Sequence, residues 1–361
     1  MMEAMRILLT GISGFAGSAL LPRLLEEGHE VRALARDRGR VERTLEAMAS
    51  PIGGSIGLED FELTIGDTLS GNGMLGALRG VEVAYYLIHS MEPSPGGPDG
   101  DSFPARERAS AQTFAHAART AGVRRIVYLG GPLPGGSPPG GPLPGGSPPD
   151  GPLPSGSLPK FPKSGALAES GHISPHLSSR NAVERILLDS VPDSVALRAS
   201  IVIGARSRSF RFLVRLVERM PVLALPAWRR FRSRPIDERD IVEMLAACAS
   251  VEAVGGRSLD AGGPEILTYG EIVERIADLM MLARPSFGIR LTVTPIAARL
   301  AAVIADERPE LVLPLMESLT GDLLPRGEDP ADLLGVDLHS FDSAVEHALG
   351  EWERSEELAA R

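Results

Sequence analysis

A chain of 361 residues with 43% hydrophobic content is long enough for a large core, and its length suggests about two domains. A formal net charge of -10 and a pI near 5.3 exclude the basic balance normal in nucleic-acid binders. Aromatics make up only 4%, so aliphatic side chains must fill the core, and the single cysteine, Cys248, excludes an internal disulfide.

Cys248 sits in the helical apolar stretch Met244-Leu245-Ala246-Ala247-Cys248-Ala249 and reads as a small buried hydrophobe. That usage suits a reducing compartment. Acidic Glu3 ahead of a short apolar run does not fit a secretory signal. No apolar run approaches the ~20 residues that span a bilayer, so a soluble, cytoplasmic protein with no membrane span is expected.

The first strand is expected at residues 6–10. It runs into Gly11-Ile12-Ser13-Gly14-Phe15-Ala16-Gly17, three glycines spaced three apart, and then into a helical pattern with Leu20, Leu21, Leu24 and Leu25 on one face and Gly28 as its stop. Pro22 lies inside this helix and predicts a local kink. Residues 30–35 read as strand two, residues 41–49 as a polar helix, and residues 61–65 as strand three, closing at Gly66-Asp67. A short helix near 74–78 precedes a buried strand at 81–88. A Pro/Gly loop at 92–101, a helix at 105–120 and a fifth strand at 125–129 follow. Alternating helices and apolar strands predict an α/β fold, a Rossmann-type doubly wound parallel sheet.

Residues 131–160 hold a tandem Pro/Gly repeat in three copies, the third decayed. With little but Leu133, Leu143, Leu153 and Leu158 to bury, this insert is expected to be disordered. After it a helix begins at Ser174-Pro175 and runs to about 188, followed by strand six at 195–199 with its exit at 201–204. Residues 206–219 form a basic amphipathic helix, 221–234 an irregular Arg-rich stretch, and 241–249 a helix preceded by Asp237 and Asp240. Residues 258–264 give a short strand and turn. Thr268 and Glu271 make a capping-box signature, and residues from about 291 onward read as helical. The expected division is a dinucleotide-binding domain over 1–204, interrupted at 132–160, and a small C-terminal substrate lobe over 205–361 that partly completes the sheet.

The glycine turn follows a strand and opens a helix, which is the context of a dinucleotide site: glycines admit the pyrophosphate and the first helical amides point at it. At the end of strand two, Arg36 suits an adenosine 2′-phosphate, whereas Asp37 is the acid that would hold a ribose 2′-hydroxyl. The expected cofactor is therefore NADP, with NAD left open. Nothing suggests a metal site. The run Trp228-Arg229-Arg230-Phe231-Arg232-Ser233-Arg234 reads either as a grip on an anionic substrate or as a solvated loop.

The motifs together carry a resemblance. Gly-x-x-Gly-x-x-Gly, Val31-Arg32-Ala33-Leu34-Ala35-Arg36, Gly66-Asp67, residues 84–90, residues 122–131 and Gly262-Gly263-Pro264-Glu265 resemble an atypical, extended short-chain dehydrogenase/reductase of the NAD(P)H-binding, NmrA-like branch. That branch is also similar to an accessory subunit of respiratory complex I. The resemblance implies that Thr10, Gly11, Ser13, Gly14, Phe15, Ala16 and Gly17 wrap the pyrophosphate. It implies that Arg36 meets the 2′-phosphate and that Asp67 and Thr68 sit at the adenine. Leu87, Ile88 and His89 would lie under the ribose and nicotinamide. His176 and Arg180 fall on the superfamily's Tyr and Lys positions, one helical turn apart, while its serine position falls on Gly130-Gly131 and is empty. A histidine exchanges protons near neutral pH and an arginine does not. The implied activity is an oxidoreductase or epimerase on a small or nucleotide-linked carbonyl compound. The alternative is a non-catalytic dinucleotide-binding redox sensor or assembly subunit, and the oligomeric state stays open.

Overall fold

The computed structural model describes residues 4–48, 56–88, 103–132, 175–288 and 321–355. Strand β1 (Arg6–Thr10) leads into helix α1 (Phe15–Glu26), then β2 (Glu30–Ala35), α2 (Arg38–Met48), β3 (Glu62–Ile65), α3 (Met74–Leu78) and β4 (Val83–Tyr86). Helix α4 (Phe103–Ala121), β5 (Arg125–Gly130), α5 (Pro175–Ser190) and β6 (Val195–Ala199) follow. Short strands β7 (Val202–Ile203), β8 (Leu223–Leu225), β9 (Arg232–Ser233) and β10 (Ile236–Asp237) flank α6 (Arg208–Arg219) and precede α7 (Glu238–Ala247). The chain continues with β11 (Ser258–Ala261), β12 (Leu267–Thr268), α8 (Tyr269–Leu279), β13 (Ser286–Gly288), α9 (Pro330–Leu334) and α10 (Phe341–Ser355).

Seven strands form one parallel sheet in the order β11-β6-β5-β4-β1-β2-β3. The order reverses between β1 and β4, where an open α/β sheet leaves a crevice at its carboxyl edge. Alternate residues of β1 serve the two faces. Ile7 and Leu9 join the cluster that holds Leu20, Leu24 and Met244, whereas Leu8 faces Leu78, Phe114 and Leu187. Both faces are covered by helices, as a parallel sheet requires.

The structure shifts several expected bounds by a residue or more. Helix α1 continues through Pro22, and α2 starts at Arg38 because Asp37 caps it: its Oδ1 accepts from the Arg40 amide at 2.9 Å. The stretch expected to be irregular contains β8, a 3₁₀ turn at Ala227–Arg230 and β9. The capping box at Thr268 and Glu271 is formed, with Glu271 N–H donating to Thr268 Oγ1 at 3.2 Å and Glu271 Oε2 accepting from the Thr268 amide at 2.7 Å. The 92–101 loop, most of the Pro/Gly repeat and much of the region expected to be helical after 291 lie outside the described residues.

A second apolar cluster joins Phe210, Val214 and Val217 of α6 to Ile272 and Ile276 of α8 and to Val345 and Trp352 of α10. Buried charge ties helices to the sheet. Arg125, wholly buried, pairs with Asp193 and donates to the Cys248 and Val251 carbonyls at 2.6 and 2.8 Å, which satisfies the carboxyl end of α7. Arg198 forks onto Glu184 of α5.

Candidate active site

The turn between β1 and α1 is built by close approach. Gly11 has φ of +73°, and a Cβ there would come within 2.5 Å of the Leu87 carbonyl oxygen. A methyl at Gly17 would overlap the Gly11 carbonyl, so this glycine lets α1 pack down on its own turn. The Gly14 amide closes the turn on the Gly11 carbonyl at 2.8 Å, and the first helical bond runs from the Ser18 amide to the Gly14 carbonyl. The amides of Phe15, Ala16 and Gly17 therefore have no acceptor inside the helix, and Gly14 offers no side-chain cap. Gly11, Ser13, Gly14, Phe15 and Ala16 are all part-exposed, while the Ile12 side chain is turned into the core. The result is an accessible, positively polarised backbone cradle that fits a diphosphate.

Thr10 is placed differently from its neighbours. Its hydroxyl donates to the Tyr85 carbonyl at 2.8 Å and accepts from the Leu87 amide at 3.2 Å, so it fastens β1 to β4 beneath the turn. At the end of β2, Arg36 is exposed and makes no hydrogen bond or ion pair among the described residues, whereas Asp37 is engaged in capping α2. Asp67 holds its own turn, accepting from the Leu69 amide at 3.1 Å. Thr68 is buried, its hydroxyl 2.5 Å from Ser110 Oγ. Leu87 and Ile88 end the β4 side of the crevice, packed against the two faces of the sheet. His89 lies outside the described residues, as does the side chain of His176, whose backbone belongs to the first turn of α5.

Arg180 comes to the carboxyl end of β5. Its Nη2 donates to the Leu129 carbonyl at 2.7 Å, and its Nε is buried with no partner. A Cβ on Gly131 would stand 3.4 Å from Arg180 Cδ and Nε and 3.2 Å from Leu177 Cδ2. The missing strand-end side chain thus leaves the room that the guanidinium occupies. The orphaned Nε–H is a donor waiting for an oxygen, which suits a ribose hydroxyl in the crevice. Tyr128, beneath it, is no catalytic acid at neutral pH: burial pushes its phenol up to about 12, and its hydroxyl lies 3.4 Å from the Arg180 carbonyl.

The arginine-rich stretch is partly neutralised. Arg232 pairs with Asp322 at 2.6 Å and Arg234 with Asp329 at 3.2 Å, while Trp228 is buried. Asp240 is buried and holds His339, ring Nδ1 to Oδ1 at 2.5 Å. Sequence reasoning passed over Glu184, Arg206 and Glu238. The partners of Glu184 and Arg206 lie 14 and 188 residues away, too far for a local signal.

The seven-stranded parallel sheet and its glycine turn have the fold of solved structures of the short-chain dehydrogenase/reductase type. Residues 7–142 match the model of the family described as NAD dependent epimerase/dehydratase. A 3-beta-hydroxysteroid dehydrogenase of Mycolicibacterium neoaurum is 28% identical over 127 residues, 34% of this chain and 31% of that protein, so the chain spans about a third of the relative it matches. The Citrobacter sp. triphenylmethane reductase complexed with NADP(H) superposes with a TM-score of 0.64 at 14% identity, covering 95% of this chain and 99% of that one. The UDP-glucuronic acid 4-epimerase of Bacillus cereus, in complex with UDP-glucuronic acid and NAD, gives 0.63 at 15% identity, covering 97% and 99%.

Proposed function

We propose that this chain binds NADP(H) across the carboxyl edge of its sheet and serves as an NADP(H)-dependent oxidoreductase or epimerase of the NmrA-like type. Its substrate would be a small or nucleotide-linked carbonyl compound. The observation that carries the reading is the set of open amides of Phe15, Ala16 and Gly17 at the carboxyl end of β1, with the buried, unpartnered Nε of Arg180 at the carboxyl end of β5. Bound nicotinamide would supply hydride chemistry. The chain's own groups then divide the remaining work. The amides of Phe15 and Ala16 hold the diphosphate, and Arg36, free of any described partner, forks onto the 2′-phosphate. Arg180 holds the ribose, and His176 exchanges the proton on the substrate oxygen. The preference for NADP rests on the contrast between Arg36 and Asp37, since Asp37 would have to give up its cap on α2 to bind a ribose hydroxyl. Of the structural relatives, the reductase is complexed with NADP(H) and the epimerase with NAD, which accords with either nicotinamide.

Two features favour a second reading, a dinucleotide-binding sensor without turnover. The strand end at Gly131 offers no hydroxyl, and a guanidinium at residue 180 exchanges no proton. Fluorescence titrations with NADPH and NADH separate cofactor from chemistry. Arg36→Ala should weaken NADPH by about 10- to 100-fold, the worth of a charge-assisted contact, and leave NADH nearly unchanged. Equal losses would refute the phosphate assignment. Turnover of a carbonyl panel with NADPH, lost in His176→Ala, supports the enzyme; tight binding with no turnover across that panel supports the sensor.

A further inference from the structure

Helices α1 and α7 lie side by side on one face of the sheet, tied by Arg23 and Glu243 at 2.8 Å. Each starts at the sheet's carboxyl edge: α1 after β1, and α7 after β10, which pairs in parallel with β7. The chain leaving β7 passes Gly204 and carries Arg206 back across the start of α1. Arg206 Nη1 donates to Ser18 Oγ at 2.9 Å, and Ser18 Oγ in turn donates to the carbonyl of Phe15, the first residue of α1, at 3.0 Å. The guanidinium is therefore tethered within one helical turn of the open amides.

Arg206 differs from the structural arginines around it. Arg23, Arg125, Arg198, Arg232, Arg234 and Arg239 each pair with a carboxylate, whereas Arg206 forms no salt bridge among the described residues. Its neighbour Glu238, first residue of α7, lies over the Gly204 Cα, where a Cβ would overlap its carboxylate. The charged groups that face Glu238 are Arg206 from the β7 exit, Glu351 from α10 and Asp237 from its own helix start, and Asp237 is already paired with Arg239 at 2.6 Å.

We infer that Arg206 is a binding residue for the dinucleotide's diphosphate, a side-chain cation added to the amide cradle, with Glu238 as the counter-charge that tunes it. The inference rests on the dinucleotide reading of the site. A guanidinium forks onto a phosphate, and Arg206 Nη1 is held 2.9 Å from the hydroxyl of Ser18, the residue that follows the open amides. Glu238 does not cancel that charge at neutral pH. Burial, then the Glu351 carboxylate, raise its pKa to about 8, so it is mostly protonated at pH 7 and becomes an anion by pH 9.

The test is titration of the full chain with NADPH, NADH and 2′-phosphoadenosine, the last of which has no diphosphate. Arg206→Gln should weaken NADPH and NADH alike, by about 10- to 100-fold, and leave 2′-phosphoadenosine unchanged. Arg206→Lys, which keeps charge without the fork, should fall between. In the wild type, NADPH affinity should drop several-fold from pH 7 to 9, and Glu238→Gln should remove that drop. Wild-type affinity for both nicotinamides in Arg206→Gln would overturn the assignment, as would a loss confined to NADPH. A pH dependence that survives in Glu238→Gln would overturn the counter-charge. Wild-type protein that ignores both nicotinamides at millimolar concentration would instead sink the dinucleotide reading beneath it. Ser18→Ala, which cuts the tether without touching the arginine, should give a smaller loss and serves if Arg206→Gln does not fold.

Discussion

Removing the Glu184 carboxylate tests whether α5, the helix that carries Arg180, is held by buried charge. Glu184 lies on α5 one turn after Arg180, and its oxygens accept from Arg198 Nε at 2.9 Å, Arg198 Nη2 at 2.6 Å and Ser258 Oγ at 2.6 Å. Both charged side chains are 4% exposed, so water cannot replace what the substitution removes. In Glu184→Ala the Arg198 guanidinium keeps only Asp260, at 3.4 Å, as a carboxylate partner. Breaking a buried pair from one side costs about 3–5 kcal/mol, because the remaining charge is left desolvated. On a chain of this size that lowers Tm by roughly 4–7 °C. Thermal unfolding followed by circular dichroism measures the shift, and NADPH titration of the folded variant should show weaker binding because α5 carries Arg180. Glu184→Ala combined with Arg198→Met should recover much of the loss, since removing both charges leaves no orphan. A Tm within about 2 °C of wild type for the single variant would refute the argument, since it would mean that solvent reaches the pair.

Gly17→Ala should abolish NADPH binding and lower stability by about 1–3 kcal/mol, because the added methyl overlaps the Gly11 carbonyl and forces α1 off its turn. Calorimetric titration beside a melting curve checks both effects, and intact binding would contradict the packing. Cys248 is wholly buried and its thiol is pushed up to about 12, chiefly by burial. Native protein at pH 8 should therefore leave a thiol-specific disulfide reagent unreacted, and one equivalent should react after unfolding. Glu238 binds its proton more tightly folded, at about 8, than its ordinary value of 4.5. Between about pH 5 and 8 the folded state thus holds more protons than the unfolded one, and stability falls as pH rises. Melting curves at pH 5.5, 7 and 8.5 should show Glu238→Gln gaining on wild type as pH increases; a constant difference would disprove the linkage.

The sheet was legible because its signals are local. Ile7, Leu8 and Leu9 form an apolar run that only a strand buried on both faces requires, and the glycines after it mark a turn whose spacing is set by steric contact. The capping box at Thr268 and Glu271 was equally plain, because both halves of that contact lie within one turn. Pro22 lacks one helical hydrogen bond, and α1 runs through it with Leu20, Leu21 and Leu24 anchored in the core on either side. Local signals also set the errors. The 221–234 stretch looked irregular because its strands have two or three residues and their partners are remote, β8 pairing with β13 and β9 with β12.

The candidate site divides along the same line. Sequence placed Arg36 and Asp37 together at the end of β2 and favoured Arg36, with Asp37 left open because each is a sound ligand for one form of the adenosine ribose. The choice depends on what else each side chain is doing. Asp37 is drawn away by the amides of a helix that starts one residue later, while Arg36 has no such competitor among the described residues. Arg180 shows the same logic from the opposite side. Its position on α5 was readable as one turn from His176, but its orphaned Nε and the space vacated at Gly131 exist only because α5 packs over the end of β5. A polar group in this fold becomes available to a ligand when the scaffold leaves its hydrogen bonds unclaimed, and that is a property of packing across the sheet edge that no stretch of sequence contains.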